Sequence, residues 1–121
     1  MISILLVDDH PIMRRAVRAI LAQDPDLEIV GEASDGLEAI QLTREAHPDV
    51  IVMDIYMPRM DGIESTRCIR EFLPDVCVIG MSSSSTASLQ NQFLSAGGRA
   101  FLPKELADAS LVELIRHECR L

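Results

Sequence analysis

Five short apolar runs punctuate the chain, at residues 4–7, 27–30, 50–53, 76–79 and 100–102. Between them the apolar positions recur with helical spacing. The clearest stretch places Met13, Ala16, Val17, Ile20 and Leu21 at i, i+3, i+4, i+7 and i+8, one apolar stripe on a helix. Pro11 suits its first turn, and Asp24-Pro25 ends it. Further helices are expected over about 35–46, 62–73, 85–96 and 107–120. Pro48 and Pro74 follow the second and third, and Gly97-Gly98 stops the fourth. In the fifth, Leu111, Leu114 and Ile115 share one face.

Strictly alternating strands and helices predict a parallel sheet covered on both faces. Runs one, three and four are continuously apolar, as interior parallel strands are. Run two carries Glu28 and is followed by Glu32, and run five lies between Arg99 and Pro103. Both read as edge strands. Edges at two and five give the doubly wound α/β (flavodoxin-like) order 2-1-3-4-5. The 121 residues amount to one domain, 1–121, with no linker or low-complexity tract.

In such sheets ligands bind beyond the carboxyl ends of the strands, near the switch point between strands one and three. Asp8 and Asp9 follow the first run, Asp54 the third, Ser82 the fourth and Lys104 the fifth. The three carboxylates would repel one another unless they share a cation or a proton. An oxygen-rich, water-accessible set suits Mg²⁺ or Mn²⁺ and not a soft metal. Such an ion would also offset the charge of an incoming phosphoryl group, leaving one carboxylate to act as nucleophile. Lys104 would offer a point charge to a phosphate oxygen, and Ser82 a hydroxyl donor. Singly, each residue has a plainer reading. Asp9 could cap the first helix, Ser82 to Ser85 could cap the fourth, Lys104 could be a solvated lysine and Phe101 a core aromatic. Their joint placement at strand ends points to phosphoryl chemistry.

Composition narrows the partners. Eleven basic and nineteen acidic side chains give a formal net charge of −8, so this chain is not expected to grip nucleic acid or an anionic membrane directly. Aromatics make up 3%, with no Trp, which leaves little for a flavin or base-stacking site. A GxxxxGK[ST] phosphate loop is absent. Cys68, Cys77 and Cys119 form no CxxC pair, and His10, His47 and His117 are scattered. The expectation is three reduced thiols, with neither a zinc cluster nor a disulfide framework. The N-terminus lacks the basic start and long apolar stretch of a signal peptide, so a cytoplasmic location is expected.

These motifs resemble a known family. Leu5-Leu6-Val7-Asp8-Asp9-His10-Pro11 is similar to the first strand and acidic pair of response-regulator receiver (CheY-like) domains of two-component systems. Asp54-Ile55-Tyr56-Met57-Pro58-Arg59-Met60-Asp61-Gly62 resembles their phosphoacceptor segment, D-x-x-M-P-x-x-D-G. Gly80-Met81-Ser82 and Ala100-Phe101-Leu102-Pro103-Lys104 resemble the ends of their fourth and fifth strands. The Asp-Asp-His-Pro opening is similar to the NarL/FixJ (LuxR-type) branch, which usually carries a C-terminal helix-turn-helix domain.

The resemblance implies roles residue by residue. Asp54 would accept a phosphoryl group from a sensor histidine kinase. Asp8, Asp9, Asp54 and the backbone carbonyl of Tyr56 would hold Mg²⁺ (or Mn²⁺). Lys104 would contact the phosphoryl group, Ser82 would swing toward it, and Phe101 would change rotamer. That would alter the face built from the fourth helix, fifth strand and fifth helix, where such domains dimerise or meet partners. The output implied is transcription, with DNA bound through a domain absent from this chain. The domain would be no enzyme beyond its own phosphorylation and slow dephosphorylation.

Departures stand beside the matches. A lysine–proline pair with a cis peptide is common after the fifth strand; here Pro103 precedes Lys104 and Glu105 follows. Ser83 replaces a common Ala, and Phe101 lacks the hydroxyl of the commoner Tyr. Tyr56 and Ser84 occupy positions that often tune dephosphorylation. Among rivals, an aspartyl-phosphate hydrolase would need Asp where Tyr56 stands. An FMN binder would need a phosphate-cradling loop where Asp8 and Asp9 stand. The remaining alternative is an unphosphorylated pseudo-receiver acting as an interaction module, although such modules usually lose a site acid and here all are present.

Overall fold

The computed structural model describes residues 1–83 and 86–119. Along the chain it runs β1 (Ile2–Val7), α1 (Pro11–Leu21), β2 (Leu27–Ala33), α2 (Gly36–Ala46), β3 (Val50–Asp54), α3 (Gly62–Phe72), β4 (Cys77–Ser82), α4 (Ala87–Ser95), β5 (Ala100–Pro103), a 3₁₀ turn at Lys104–Leu106, and α5 (Ala107–Glu118). The five strands form one parallel sheet in the order β2-β1-β3-β4-β5, as the run pattern predicts.

Local chemistry sets the helix starts. Pro11 occupies the first turn of α1, where its missing N–H costs nothing. Asp35 and Asp61 cap α2 and α3 by accepting from the N–H groups of Glu38 and Glu64, each at 2.9 Å. Thr86 caps α4 through the N–H of Leu89 at 3.1 Å. Of the serines expected in that capping role, Ser82 lies in β4, and Ser84 and Ser85 lie outside the described residues, as does Arg120 beyond α5. The expected first-helix stripe is narrower than its spacing suggests: Val17, Ile20 and Leu21 are buried and Met13 packs against them, but Ala16 is exposed.

Alternation along the strands builds two cores. Ile4 and Leu6 (β1), Val50 and Val52 (β3), and Ile79 and Met81 (β4) pack with Val17 and Leu21 of α1 and Leu111 and Ile115 of α5. Leu5 and Val7, Ile51 and Met53, and Val78 face the other way, toward Ala39, Ile69 and Phe93 of α2, α3 and α4. The β2 edge contains an irregularity: Ile4 pairs with Ile29 but Leu5 pairs with Gly31. Val30 is the extra residue of this bulge and turns outward, although it lies in an apolar run.

One sequence expectation is overturned. Cys77 and Cys119 are joined by a disulfide, with their Cα atoms 5.6 Å apart. Cys77 opens β4 and Cys119 follows the last turn of α5, both buried in the same core layer. Their separation of 42 residues hides a proximity created only when α5 folds back along the sheet. Cys68 alone matches the expected free thiol. Arg116 reinforces this placement by donating to Asp24 at 2.6 Å and Asp26 at 3.0 Å, which ties α5 to the α1–β2 turn.

Closing a loop of that length removes about 4 kcal/mol of unfolded-state entropy. Cys119→Ser should therefore lower the unfolding free energy, measured in urea on protein purified without reductant, by on the order of that energy, and leave reduced protein less affected. Alkylation after denaturation without reductant should label Cys68 only. Labelling of all three cysteines would contradict the bond.

Candidate functional site

β1 and β3 lie side by side at the centre of the sheet, so Asp8 and Asp54 emerge together at its carboxyl edge. Asp54 is 3% exposed and Asp8 6%. Asp8 is anchored by its own N–H, which donates to the carbonyl of Ala33 at 3.0 Å. The loop after β5 returns Lys104 to the same point. Its Nζ lies 3.0 Å from Asp8 Oδ2 and 3.3 Å from Asp54 Oδ2. The lysine side chain is 13% exposed, so the solvated reading does not hold. Pro103, paired with Ser82 across β4–β5, fixes where the lysine departs. No peptide bond among the described residues is cis.

Asp9 sits beside them, partly exposed. It does not cap α1: His10 holds that position, with no side-chain capping bond. His10 instead turns onto the acids, with Nδ1 3.1 Å from Asp8 Oδ1 and 3.1 Å from Asp9 Oδ1. Ser82, fully buried, ends β4 next to Asp54's strand. Phe101 lies in β5 and meets Phe93 of α4 edge-on, centroids 6.1 Å apart. The structure thus brings Asp8, Asp9, Asp54, Ser82 and Lys104 to one rim, and Phe101 beneath it on the α4 side. Ser83 is exposed, and Ser84 lies outside the described residues.

Tyr56 follows Ile55 in the loop from β3 to α3 and is more than half exposed. This loop is held at both ends. Ile55 N–H donates to Met81 O at 3.0 Å, and Gly62 N–H donates to Ile55 O at 2.8 Å. Gly62 must be glycine, because a Cβ there would stand 2.2 Å from the carbonyl oxygen of Asp54. At the far side, Arg59 (φ 64) forms an ion pair with the buried Asp35. The α2 start presses against the loop so closely that a Cβ on Gly36 would lie 2.4 Å from Met60 O. Sequence reasoning quoted Arg59 within the motif but gave it no role. It also missed Asp35 and Arg14, whose guanidinium donates to the Asp8 carbonyl at 2.5 Å. An Asp before a Gly at a helix start was the available signal for Asp35.

The electrostatics are those of crowded, buried acids. Burial first, and then the charge of Asp8, push the Asp54 carboxyl up to about 7, with Lys104 pulling the other way. Burial works against the Lys104 ammonium, but its hydrogen bond to Asp8 and the charges of Asp54 and Asp8 outweigh it and hold it above the usual lysine range. Asp54 Oδ2 and Asp9 Oδ1 are buried without a hydrogen-bond partner, the Lys104 ammonium and the His10 ring lying outside hydrogen-bond geometry. Ligand atoms from Asp8, Asp9, His10 and Asp54 all lie within 4.8 Å of one another. Orphaned carboxylate oxygens in a set this tight fit a divalent cation.

Residues 4–116 match the family described as the response regulator receiver domain. The chain belongs to this family. It is 40% identical over 116 residues, 96% of its length and 55% of the relative's, to the transcriptional regulatory protein LiaR of Bacillus subtilis. It is 37% identical over 95% of its length to the transcriptional regulatory protein DegU of Brevibacillus brevis, covering 49% of that protein. The chain therefore spans about half the length of these relatives. Its fold matches that of a LuxR-family two-component response regulator from Aurantimonas, with a TM-score of 0.91, 35% identity, and coverage of 95% of this chain and 82% of that one. The response regulator domain of Thermotoga maritima CheB superposes with a TM-score of 0.91 at 34% identity, covering 100% of this chain and 98% of that one. Receiver domains generally bind Mg²⁺ at an acidic pocket, and a cluster of Asp residues occupies the equivalent rim here. Among the described residues no helix is long and apolar enough to cross a membrane.

A carboxyl whose pKa is higher folded than unfolded takes up a proton on folding, so its contribution to stability falls as pH rises from the usual carboxylate range through about 7. In metal-free buffer, Asp54→Asn should stabilise the protein at about pH 8 by on the order of 1–3 kcal/mol, with the gain shrinking toward about pH 5. Urea unfolding in chelator at the two pH values measures it. A variant less stable than wild type at both would contradict this account.

Proposed function

We propose that this receiver domain is a phosphorylation-driven switch whose acceptor is Asp54. The observation that carries the reading is the convergence of a buried carboxylate, two further acids and a lysine at adjacent strand ends. An Asp54 oxygen attacks the phosphorus of a phosphohistidine on a sensor kinase. The P–N bond breaks, a P–O bond forms, and an acyl phosphate results. Asp8, Asp9, Asp54 and the carbonyl of Tyr56 would hold Mg²⁺ or Mn²⁺. When bound, the ion supplies positive charge that keeps Asp54 ionised and offsets the phosphoryl oxygens. Lys104, already between Asp8 and Asp54, is placed to transfer one of its contacts to a phosphoryl oxygen.

Ser82, at the end of the strand beside that of Asp54, turns toward the new phosphoryl group. Phe101, packed against Phe93 of α4, links that movement to the α4–β5–α5 face. That face then meets its partner, a second copy of the domain or an output module. We place the protein in the cytoplasm and its output in transcription, through a helix-turn-helix domain outside this chain. The support is the similarity to DegU and LiaR, both transcriptional regulatory proteins that are about twice as long.

The test is intact mass after incubation with acetyl phosphate. One added phosphoryl group is expected on wild type with Mg²⁺, and none after chelation or in Asp54→Asn. Lys104→Ala should slow labelling by at least about tenfold, since it removes a charge contact to the transferring group. Labelling that survives in Asp54→Asn would sink the assignment. A wild type refractory to both acetyl phosphate and a histidine kinase would leave the domain as an interaction module.

A further inference from the structure

We propose that His10 is a metal ligand at this site and biases it toward ions that accept a nitrogen donor, Mn²⁺ above Mg²⁺ and Ni²⁺ or Co²⁺ above both. The inference rests on the receiver reading, in which the acids hold a cation, and adds to it a fourth side chain and a metal preference.

The placement of His10 is specific. Its backbone N–H donates to Asp8 Oδ1 at 2.8 Å, so the residue is tethered to the first acid through its own main chain. Pro11 follows at the first position of α1 and restricts where the ring can go. The ring makes no capping bond. It is 64% exposed, so the core does not require it. It nonetheless brings Nδ1 to 3.1 Å from two carboxylate oxygens at once, Oδ1 of Asp8 and Oδ1 of Asp9.

The remaining donors complete the case. Two ligands on opposite sides of one ion, each at about 2.0–2.4 Å, are separated by roughly 4–5 Å. The ligand atoms of Asp8, Asp9, His10 and Asp54 fall within that span of one another, at 4.8 Å or less. Independently, Asp54 is almost fully buried, and its Oδ2 has no hydrogen-bond partner. Lys104 occupies Asp8 through Oδ2, which leaves Oδ1 on the His10 side. Together with the Tyr56 carbonyl, these give four oxygens and one imidazole nitrogen, a mixed set. Mg²⁺ prefers oxygen and water, whereas imidazole affinity rises from Mn²⁺ through Co²⁺ to Ni²⁺. The nitrogen therefore favours the later ions selectively.

The test is pulsed electron paramagnetic resonance of Mn²⁺ added to the intact chain. Wild type should show modulation from a directly bound nitrogen, lost in His10→Ala while His47 and His117 remain. Titration with Ni²⁺ and Mg²⁺, read by calorimetry, should give a roughly tenfold weaker Ni²⁺ affinity in His10→Ala and less than about a twofold change for Mg²⁺. Circular dichroism of the variant should be unchanged, since the ring is exposed. Bound Mn²⁺ without nitrogen coupling, or equal loss for both ions, overturns the role of His10 and leaves the receiver reading standing. Absence of any Mn²⁺ or Mg²⁺ binding by wild type overturns both.

Discussion

Carboxylates of like charge are forced together where two central parallel strands end. Asp8 and Asp54 leave neighbouring strands on the same edge, almost fully buried, with Asp9 alongside. Water cannot screen them there, so each needs a positive partner or a proton. The surrounding structure answers that demand. Lys104 is brought back from the far end of β5 to lie between two of them, and His10 folds onto the other oxygens. Even so, Asp54 is left with a carboxyl raised to about 7 and an oxygen without a hydrogen bond. On the proposed reading, a cation or phosphoryl group arriving there would change the local charge in poorly screened surroundings.

Keeping such a site in shape falls to its neighbours. The β3–α3 loop has no regular structure of its own, yet it is fixed at its start by Met81 and at its end by a glycine pressed against the Asp54 carbonyl. Between these points Arg59 reaches across to Asp35, the buried cap of α2. Asp35 has two tasks, holding an orphan N–H of α2 and pairing the loop's guanidinium. Both favour its ionised form: the helix N–H groups first and then Arg59 hold its carboxyl below the usual range, with burial opposing them. Asp54 and Asp35 thus sit in opposite electrostatic states, the first raised by burial and the charge of Asp8, the second held down by donors.

The opposite end of the molecule is secured differently. Cys77 opens the strand that ends at Ser82, and its bond to Cys119 ties that strand to the close of α5. Arg116 adds an ionic tie to Asp24 and Asp26. The far end of α5 is therefore anchored, whereas its beginning adjoins the turn that carries Lys104. Phe101 of β5 and Phe93 of α4 meet on the side nearer the start of α5 than its anchored end.

Much of this was legible in the sequence. Apolar runs with charged or proline-marked second and fifth members determined a parallel sheet and its edges, because burial on both faces tolerates few polar residues. Acids after runs one and three and a lysine after run five located the site, because a parallel sheet gathers strand ends on one rim. Other features appeared only with the tertiary structure. Val30 reads as a core residue until a bulge turns it outward, and the serine run reads as a cap until Thr86 takes the part. The cysteines at 77 and 119 read as isolated thiols until α5 packs back beside β4. Arg59 acquires its partner Asp35 only when two loops distant in sequence come within hydrogen-bond distance. Local periodicity records which face of an element is buried; it carries no record of which remote side chain will stand opposite, and that is decided by packing.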